Sequence, residues 1–249
     1  MPVQQSDPAI RTRPLTALVT GATAGLGQQI AVRLARDGMN VIAVGRDPAR
    51  GEAVATQIEA AGGQARFIPA DLDDPAGIQR LAAEAGDIDV LVNNAGHSFW
   101  GPTEKTTAEE FDSMFASNVR APFLLVGAFA PAMAARGSGS IVNISSMAGR
   151  IGLPGAAAYG ASKAALASLT QGWTAEYSPR GVRVNAVAAG PIYTRPEARE
   201  RFDRLGATTA LGRAAEPSEI ADVVAFLVSP QASYVTGAIV AADGGRTAI

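Results

Sequence analysis

The stretch Tyr159-Gly160-Ala161-Ser162-Lys163 carries the strongest chemical signal in the sequence. Residues four apart share one face of a helix, so the phenol and the ammonium point into one space. A tyrosine of ordinary pKa is a poor base at neutral pH. A neighbouring ammonium, helped by an oxidised nicotinamide, favours the phenolate and brings it into the working range of an acid/base catalyst. The chain has 4 tyrosines, and its only lysines are Lys105 and Lys163. Chance would place such a pair about 0.03 times in this chain. Ser146 ends the run Ile141-Val-Asn-Ile-Ser-Ser146. A hydroxyl there can bond a substrate oxygen as charge develops on it, although a serine pair at a strand end is by itself ordinary turn chemistry. Asn118 lies in a long helical pattern, four residues before Pro122. Proline has no N–H to give, so the Asn118 carbonyl loses its helical partner and can hold a water; a plain kink is the equal alternative.

A second constellation is the turn Thr20-Gly21-Ala22-Thr23-Ala24-Gly25-Leu26-Gly27, which joins a first strand to a first helix. Glycines permit a tight turn and close approach of backbone to a pyrophosphate, and the helix N-terminus supplies the anion site. Glycine triplets alone are weak signals in a chain with 27 glycines; the placement between strand and helix makes this one a nucleotide site. At the tip of the second strand, where an NAD site usually carries an acid, stand Gly45 and Arg46. A guanidinium can bind a 2′-phosphate bidentately, so the expected cofactor is NADP(H), with NAD(H) the alternative. Asp47 is acidic and adjacent, but its simpler role is to cap the helix that starts at Pro48. Gly45→Asp combined with Arg46→Ala should then reverse the preference.

The elements that must position these groups alternate regularly. Strands are expected at Ala17–Val19, Val41–Val44, Ala65–Pro69, Val90–Asn93, Ile141–Ser145, Arg183–Ala188 and Ala238–Ala241. Helices should begin near Gly25, Pro48, Pro75, Ala108, Ala157 and Pro217. Asp47-Pro48 and Asp74-Pro75 place a capping side chain before a first-turn proline. Thr107 and Glu110 make a capping box, and Ser178-Pro179 should stop the helix from Ala157. This order predicts an α/β fold: one doubly wound, Rossmann-type parallel sheet of about seven strands, with helices on both faces. A single domain over residues 14–249 is expected, with a lid segment near residues 191–215 over the carboxyl ends of the strands.

Composition narrows the function. With 47% hydrophobic and 6% aromatic residues, the core must be Ala, Val, Leu and Ile, as buried parallel strands require. A formal charge of -2 without like-charge blocks favours neither a nucleic-acid nor a membrane partner. The absence of cysteine excludes thiolate chemistry, and one histidine cannot build a metal site. Residues 1–13 lack the apolar core of a signal peptide and read as a flexible leader. No apolar run is long enough to span a bilayer, so the cytoplasm is the expected compartment.

Together these residues resemble the short-chain dehydrogenase/reductase family in its form of about this length. The resemblance runs from Pro14 to Gly245. Its markers appear in order: Thr20–Gly27, Asp71-Leu72, Asn93-Asn94-Ala95-Gly96, Asn118, Ser146, Tyr159 with Lys163, Gly190-Pro191-Ile192-Tyr193-Thr194, and Asp243-Gly244-Gly245. The resemblance implies alcohol–carbonyl interconversion on a small-molecule substrate. Tyr159 would exchange the proton and Ser146 orient the oxygen, while Lys163 would hold the nicotinamide ribose and lower the phenol's pKa. Asn118 would anchor a water through its carbonyl. Asp71 and Leu72 would flank the adenine, Asn94, Ala95 and Gly96 the adenosine ribose, and Ile192 and Thr194 the carboxamide. Ala24 departs from the Arg or Lys frequent in NADP(H)-preferring members, and Ala189 from a common proline. Nearness to the motifs nominates His97, Phe99, Trp100, Met147, Leu153 and Tyr193 as pocket lining, although His97 reads better as a solvated or packed ring. The lid residues Arg195, Arg199, Arg201 and Arg204 alternate with Glu197, Glu200 and Asp203. That mixture reads as a solvated helix face, rather than a site for an acidic substrate. The resemblance also implies a homotetramer, or a homodimer, built on the Asn118 and Tyr159 helices. A catalytically idle NADP(H)-binding sensor or scaffold is the rival from another class, and an epimerase or dehydratase is the rival enzyme. The substrate itself is not legible.

Overall fold

The computed structural model of the chain describes residues 13–194 and 196–249. Its strands are β1 (Thr16–Thr20), β2 (Asn40–Gly45), β3 (Gln64–Pro69), β4 (Val90–Asn93), β5 (Gly139–Ser146), β6 (Val182–Ala189) and β7 (Ile239–Ala242). They form one sheet in the order β3-β2-β1-β4-β5-β6-β7, with every pairing parallel. The helices are α1 (Gly25–Arg36), α2 (Pro48–Ala60), α3 (Pro75–Ala85), α4 (Ala108–Phe115), α5 (Ala121–Ala135), α6 (Ala157–Tyr177), α7 (Arg199–Gly206) and α8 (Pro217–Val228). The chain runs outward from β1 to β3 and then returns to β4 on the other side. The crevice at that reversal, beyond the carboxyl ends of β1 and β4, is where such sheets bind ligands.

Alternation along each strand divides the apolar residues between two layers. Val19, Val41, Val92 and Val142 face one side with Ile30 and Leu34 of α1 and Val224 and Leu227 of α8. Leu18, Ile42, Leu91 and Ile141 face the other with Leu81 of α3, Leu125 and Met133 of α5, and Leu166 and Trp173 of α6. Burying each large aliphatic chain contributes about 1.5–3 kcal/mol, so this double burial holds the strand ends in register.

Local chemistry sets the helix ends as expected. Asp47 accepts from the N–H of Arg50, and Asp74 from those of Ala76 and Gly77. Thr107 and Glu110 close a capping box, and α6 gives way to a 3-10 turn at Ser178–Arg180. Three features differ from expectation. Arg13 is not part of a loose leader: its guanidinium pairs with the buried Asp89 at 2.9 and 3.2 Å; residues 1–12 lie outside those described. A short helix, α7, forms inside the expected lid segment, where no helix start was expected. Finally, the long helix expected from Ala108 is interrupted by a π turn, Ala116–Arg120, between α4 and α5, and the whole runs 28 residues. By length and mean hydropathy that helix is apolar enough to cross a bilayer, and half of its most apolar window is buried. No single apolar run announces it, because Asn118 and Arg120 interrupt the pattern.

Candidate active site

The glycine turn is stitched to the end of β4 by Thr20. Its hydroxyl donates to the Val92 carbonyl at 3.2 Å and accepts the N–H groups of Asn94 and Ala95, each at 3.0 Å. Gly21 has a positive φ of 65°, and a Cβ on Gly27 would lie 2.2 Å from the Gly21 carbonyl oxygen. The turn therefore tolerates no side chain where the backbone folds tightest. In contrast to α2, α3 and α4, α1 has no side-chain cap at Ala24. Uncapped first-turn N–H groups beside a side-chain-free cradle suit a pyrophosphate, so these residues fit a dinucleotide.

The other expected cofactor residues surround this turn. Arg46 is exposed at the tip of β2, and Leu72 is buried beyond β3. Asp71 is exposed and receives the N–H of Asp73. Asp47 is engaged: its carboxylate takes the Arg50 N–H at 3.1 Å and the Arg50 Nε at 2.7 Å. Those bonds, the backbone one foremost, hold its pKa below the ordinary value. Thr194 comes over the turn, with its carbonyl oxygen 3.3 Å from where a Gly25 Cβ would be. Ile192 packs its side chain into the core, so any ligand contact it makes is through its backbone.

Ser146, Tyr159 and Lys163 converge at the carboxyl end of β5. Helix α6 is fixed there by two buried bonds, Ser145 Oγ to the Lys163 carbonyl and Asn143 Nδ2 to Thr170 Oγ1, both 2.9 Å. The Lys163 Nζ lies 5.9 Å from the Tyr159 ring centroid and donates to the Ile144 carbonyl at 2.9 Å. Burial pushes the Tyr159 phenol up, and the Ser146 hydroxyl offsets only part of that rise. Burial also draws the Lys163 ammonium down to about 8. Ser146 Oγ accepts from the Ala148 N–H at 3.2 Å, while its own proton faces the Ala189 carbonyl at a long 3.4 Å. A bond that long leaves the proton available to a better acceptor.

Asn118 sits in the π turn and is fully buried. Its side chain clamps the backbone of His97, accepting its N–H at 3.1 Å and donating to its carbonyl at 3.0 Å. It also donates to Ser162 Oγ at 3.0 Å, and Ser162 donates to the Tyr159 carbonyl at 2.7 Å. Thr20 and Ser162 thus hold the site together, and sequence reasoning passed over both. Their signals were a hydroxyl opening the glycine turn and another inside the Tyr-to-Lys spacing.

The pocket residues divide. The His97 ring is packed, with its nitrogens 3.2 and 3.0 Å from the Ser113 and Ser117 hydroxyls. Phe99 meets it edge-on, with centroids 5.4 Å apart. Trp100 stands 6.3 Å from the Tyr159 ring and forms the wall beside the phenol. Met147 is buried below Ser146. Leu153 instead lines a hollow of about 400 Å³ against Ala157, Gly160, Ala161 and Ala164 of α6, away from Trp100 and Tyr193. Tyr193 is tied to α7, its hydroxyl donating to Asp203 at 2.5 Å. Two lid arginines are not simply solvated. Arg199 stacks on Tyr193 at 4.4 Å and Arg201 on Trp100 at 5.0 Å, because an aromatic face attracts a guanidinium. Arg204 is exposed, and Arg195 lies outside the described residues. Among the described residues, no cluster of His, Cys, Asp or Glu could hold a metal ion.

An uncapped glycine cradle at the sheet's reversal, with a Ser–Tyr–Lys set at the neighbouring strand end, defines an α/β nucleotide-dependent oxidoreductase. Residues 21–247 match a family model described as enoyl-(acyl carrier protein) reductase. The chain belongs to the short-chain dehydrogenase/reductase family. A cyclopentanol dehydrogenase from a Comamonas species is 38% identical, covering 96% of this chain and 99% of the relative. An L-tagatose-forming galactitol 2-dehydrogenase from Cereibacter sphaeroides is 42% identical, covering 93% and 94%. Among solved structures, an actinorhodin polyketide ketoreductase with NADPH is 33% identical with a TM-score of 0.89, covering 95% and 98%. The chain is thus similar throughout to oxidoreductases acting on CH–OH groups.

Proposed function

We propose that this chain interconverts a secondary alcohol and a carbonyl with NADP(H), using Tyr159 as general acid/base. The observation that carries the reading is one half-buried tyrosine whose phenol is flanked by the Ser146 hydroxyl and the Lys163 ammonium. In reduction, Tyr159 gives its proton to the substrate oxygen as negative charge grows there. Ser146 donates a hydrogen bond to the same oxygen. In oxidation the phenolate takes the alcohol proton, and the Lys163 charge makes that phenolate accessible. The bound nicotinamide supplies or accepts the hydride. Asn118 and Ser162 act one step back, fixing the turn after Gly96 against the Tyr159 helix.

Gly21–Gly27 would hold the pyrophosphate, Leu72 and Asp71 the adenine, Asn94–Gly96 the adenosine ribose, and Ile192 with Thr194 the carboxamide. Arg46 would read the 2′-phosphate, since Asp47 is occupied by Arg50. The NADPH held by the similar ketoreductase supports the same cofactor. His97, Phe99, Trp100 and Met147 would form the pocket wall, largely apolar and so better suited to a cyclic alcohol such as the one for which the Comamonas relative is named than to a polyol. Leu153 and Tyr193 would contribute less, one facing α6 and the other α7. The stretch 191–215 acts as the lid of a single domain, and we place the enzyme in the cytoplasm. Exposed apolar side chains on α4 and α5 favour assembly into a homotetramer. The presence of all three catalytic side chains favours an enzyme over an idle binder. A panel of cyclic ketones, ketoses, β-ketoacyl thioesters and an enoyl thioester, read by NADPH absorbance, tests the reading. Turnover of a carbonyl compound is expected; turnover of the enoyl thioester alone would replace the reading with C=C reduction.

A further inference from the structure

We propose that Thr23 is a specificity-determining residue for the cofactor. Its methyl group keeps a carboxylate side chain out of position 45, and so keeps the tip of β2 suited to a 2′-phosphate. The inference rests on the NADP(H) reading above. The glycine turn and the tip of β2 are bonded to each other, the Ala22 N–H donating to the Val44 carbonyl at 3.0 Å. On the far side, the Ala70 N–H donates to the Gly45 carbonyl at 2.9 Å. Residue 45 is also in register with Pro69, and Val44 with Thr20. The backbone at Gly45 is therefore held from both sides and cannot retreat.

A Cβ at Gly45 would lie 2.5 Å from Thr23 Cγ2, 3.3 Å from its Oγ1 and 3.5 Å from its Cβ. Carbon atoms make good contact at about 3.5–4.0 Å, so the first distance is an overlap and the last is ordinary packing. Only the γ-methyl stands in the way. Relief would require Thr23 to change χ1, and β-branched side chains are stiff at that bond. A carboxylate at position 45, the usual route to NAD(H), therefore conflicts with Thr23 before it can meet a ribose. What remains at this corner is the Thr23 hydroxyl and the exposed Arg46 guanidinium. Of the acids nearby, Asp47 is bound to Arg50, and Asp71, just beyond β3, receives the Asp73 N–H. Hydroxyl and guanidinium donors suit a phosphate.

The test measures dissociation constants for NADPH and NADH, with melting temperatures, in the parent, Gly45→Asp, Thr23→Ser and the double variant. Thr23→Ser removes the methyl and keeps the hydroxyl. Gly45→Asp alone should weaken NADPH about tenfold or more and lower Tm, while NADH stays within about threefold of the parent. The double variant should recover Tm and bind NADH about tenfold more tightly than Gly45→Asp does. If Gly45→Asp alone gains NADH as strongly as the double variant, Thr23 excludes nothing and the proposal is overturned. A double variant that gains no NADH affinity overturns it as well. A parent that prefers NADH would instead contradict the NADP(H) reading; the coupling between positions 23 and 45 is read separately, from the differences among the four proteins.

Discussion

Burial acts on the two central side chains in opposite senses, raising the Tyr159 phenol and drawing Lys163 down to about 8. In the proposed mechanism the ammonium's field works against the phenol's burial, and that field is lost as pH rises through about 8. In Lys163→Met the phenol is left with burial and Ser146 alone. The rising limb of kcat/KM against pH for alcohol oxidation should then move to higher pH. A limb at the parent's position would remove Lys163 from the proton chemistry. Stability carries the same signature. The folded pKa of Lys163 lies below its ordinary 10.5, so charging it costs stability as pH falls from 10.5 to about 8, with no further cost below. The parent should lose Tm relative to Lys163→Met across that window in the cofactor-free protein. Arg46 makes a different claim. Arg46→Ala should weaken NADPH about ten- to a hundredfold, the worth of a charged hydrogen bond, and leave NADH nearly unchanged. Equal losses for both cofactors would show that Arg46 does not read the phosphate.

Elements with local causes were legible. β-Branched runs marked all seven strands to within two residues, and the Asp-Pro pairs and Thr107–Glu110 marked helix starts, because caps and prolines act within one turn. The π turn at Ala116–Arg120 has a distant cause. Pro122 removes a donor, but the Asn118 side chain is drawn to the His97 backbone and to Ser162, contacts that no local pattern encodes. The charge pattern of helix α7 suggested a helix face, but its bounds were not marked, for a similar reason. Its sequence, Arg199-Glu-Arg-Phe-Asp-Arg-Leu-Gly206, is mostly charged, and it is held by Tyr193 and Trp100 from elsewhere in the chain. Tyr193→Phe removes the bond to Asp203 and should loosen the lid. We expect KM to rise by about threefold or more, with kcat less affected, since the ring stays to stack on Arg199. A KM equal to the parent's would mean that this bond does not hold the lid.

At the scale of the whole molecule, a doubly wound parallel sheet with its crevice beyond the carboxyl ends of the strands followed from strand–helix alternation, whereas the strand order itself did not. The cofactor turn and the Tyr–Lys pair were legible because each lies in one short stretch. The pocket was not, since Trp100 meets Tyr159 and Arg201 from far along the chain, and nearness to a motif did not give the direction of Leu153 or Tyr193. The proposed assembly has exposed side chains to use: Phe111 is 42% exposed on α4, and Phe123 53% exposed on α5 beside Trp173 of α6. Burying them against a second copy is what the proposed assembly would supply. Phe123→Glu should reduce the proposed tetramer to smaller species by light scattering; a parent already monomeric at micromolar concentration would contradict the assembly. The central claim is that one phenolic proton separates turnover from mere cofactor binding. Its most direct test is Tyr159→Phe, with NADPH affinity by fluorescence beside turnover of any carbonyl compound the parent reduces. We predict unchanged NADPH affinity and kcat lower by about 10²–10⁴-fold; turnover within about threefold of the parent would contradict the assignment of Tyr159.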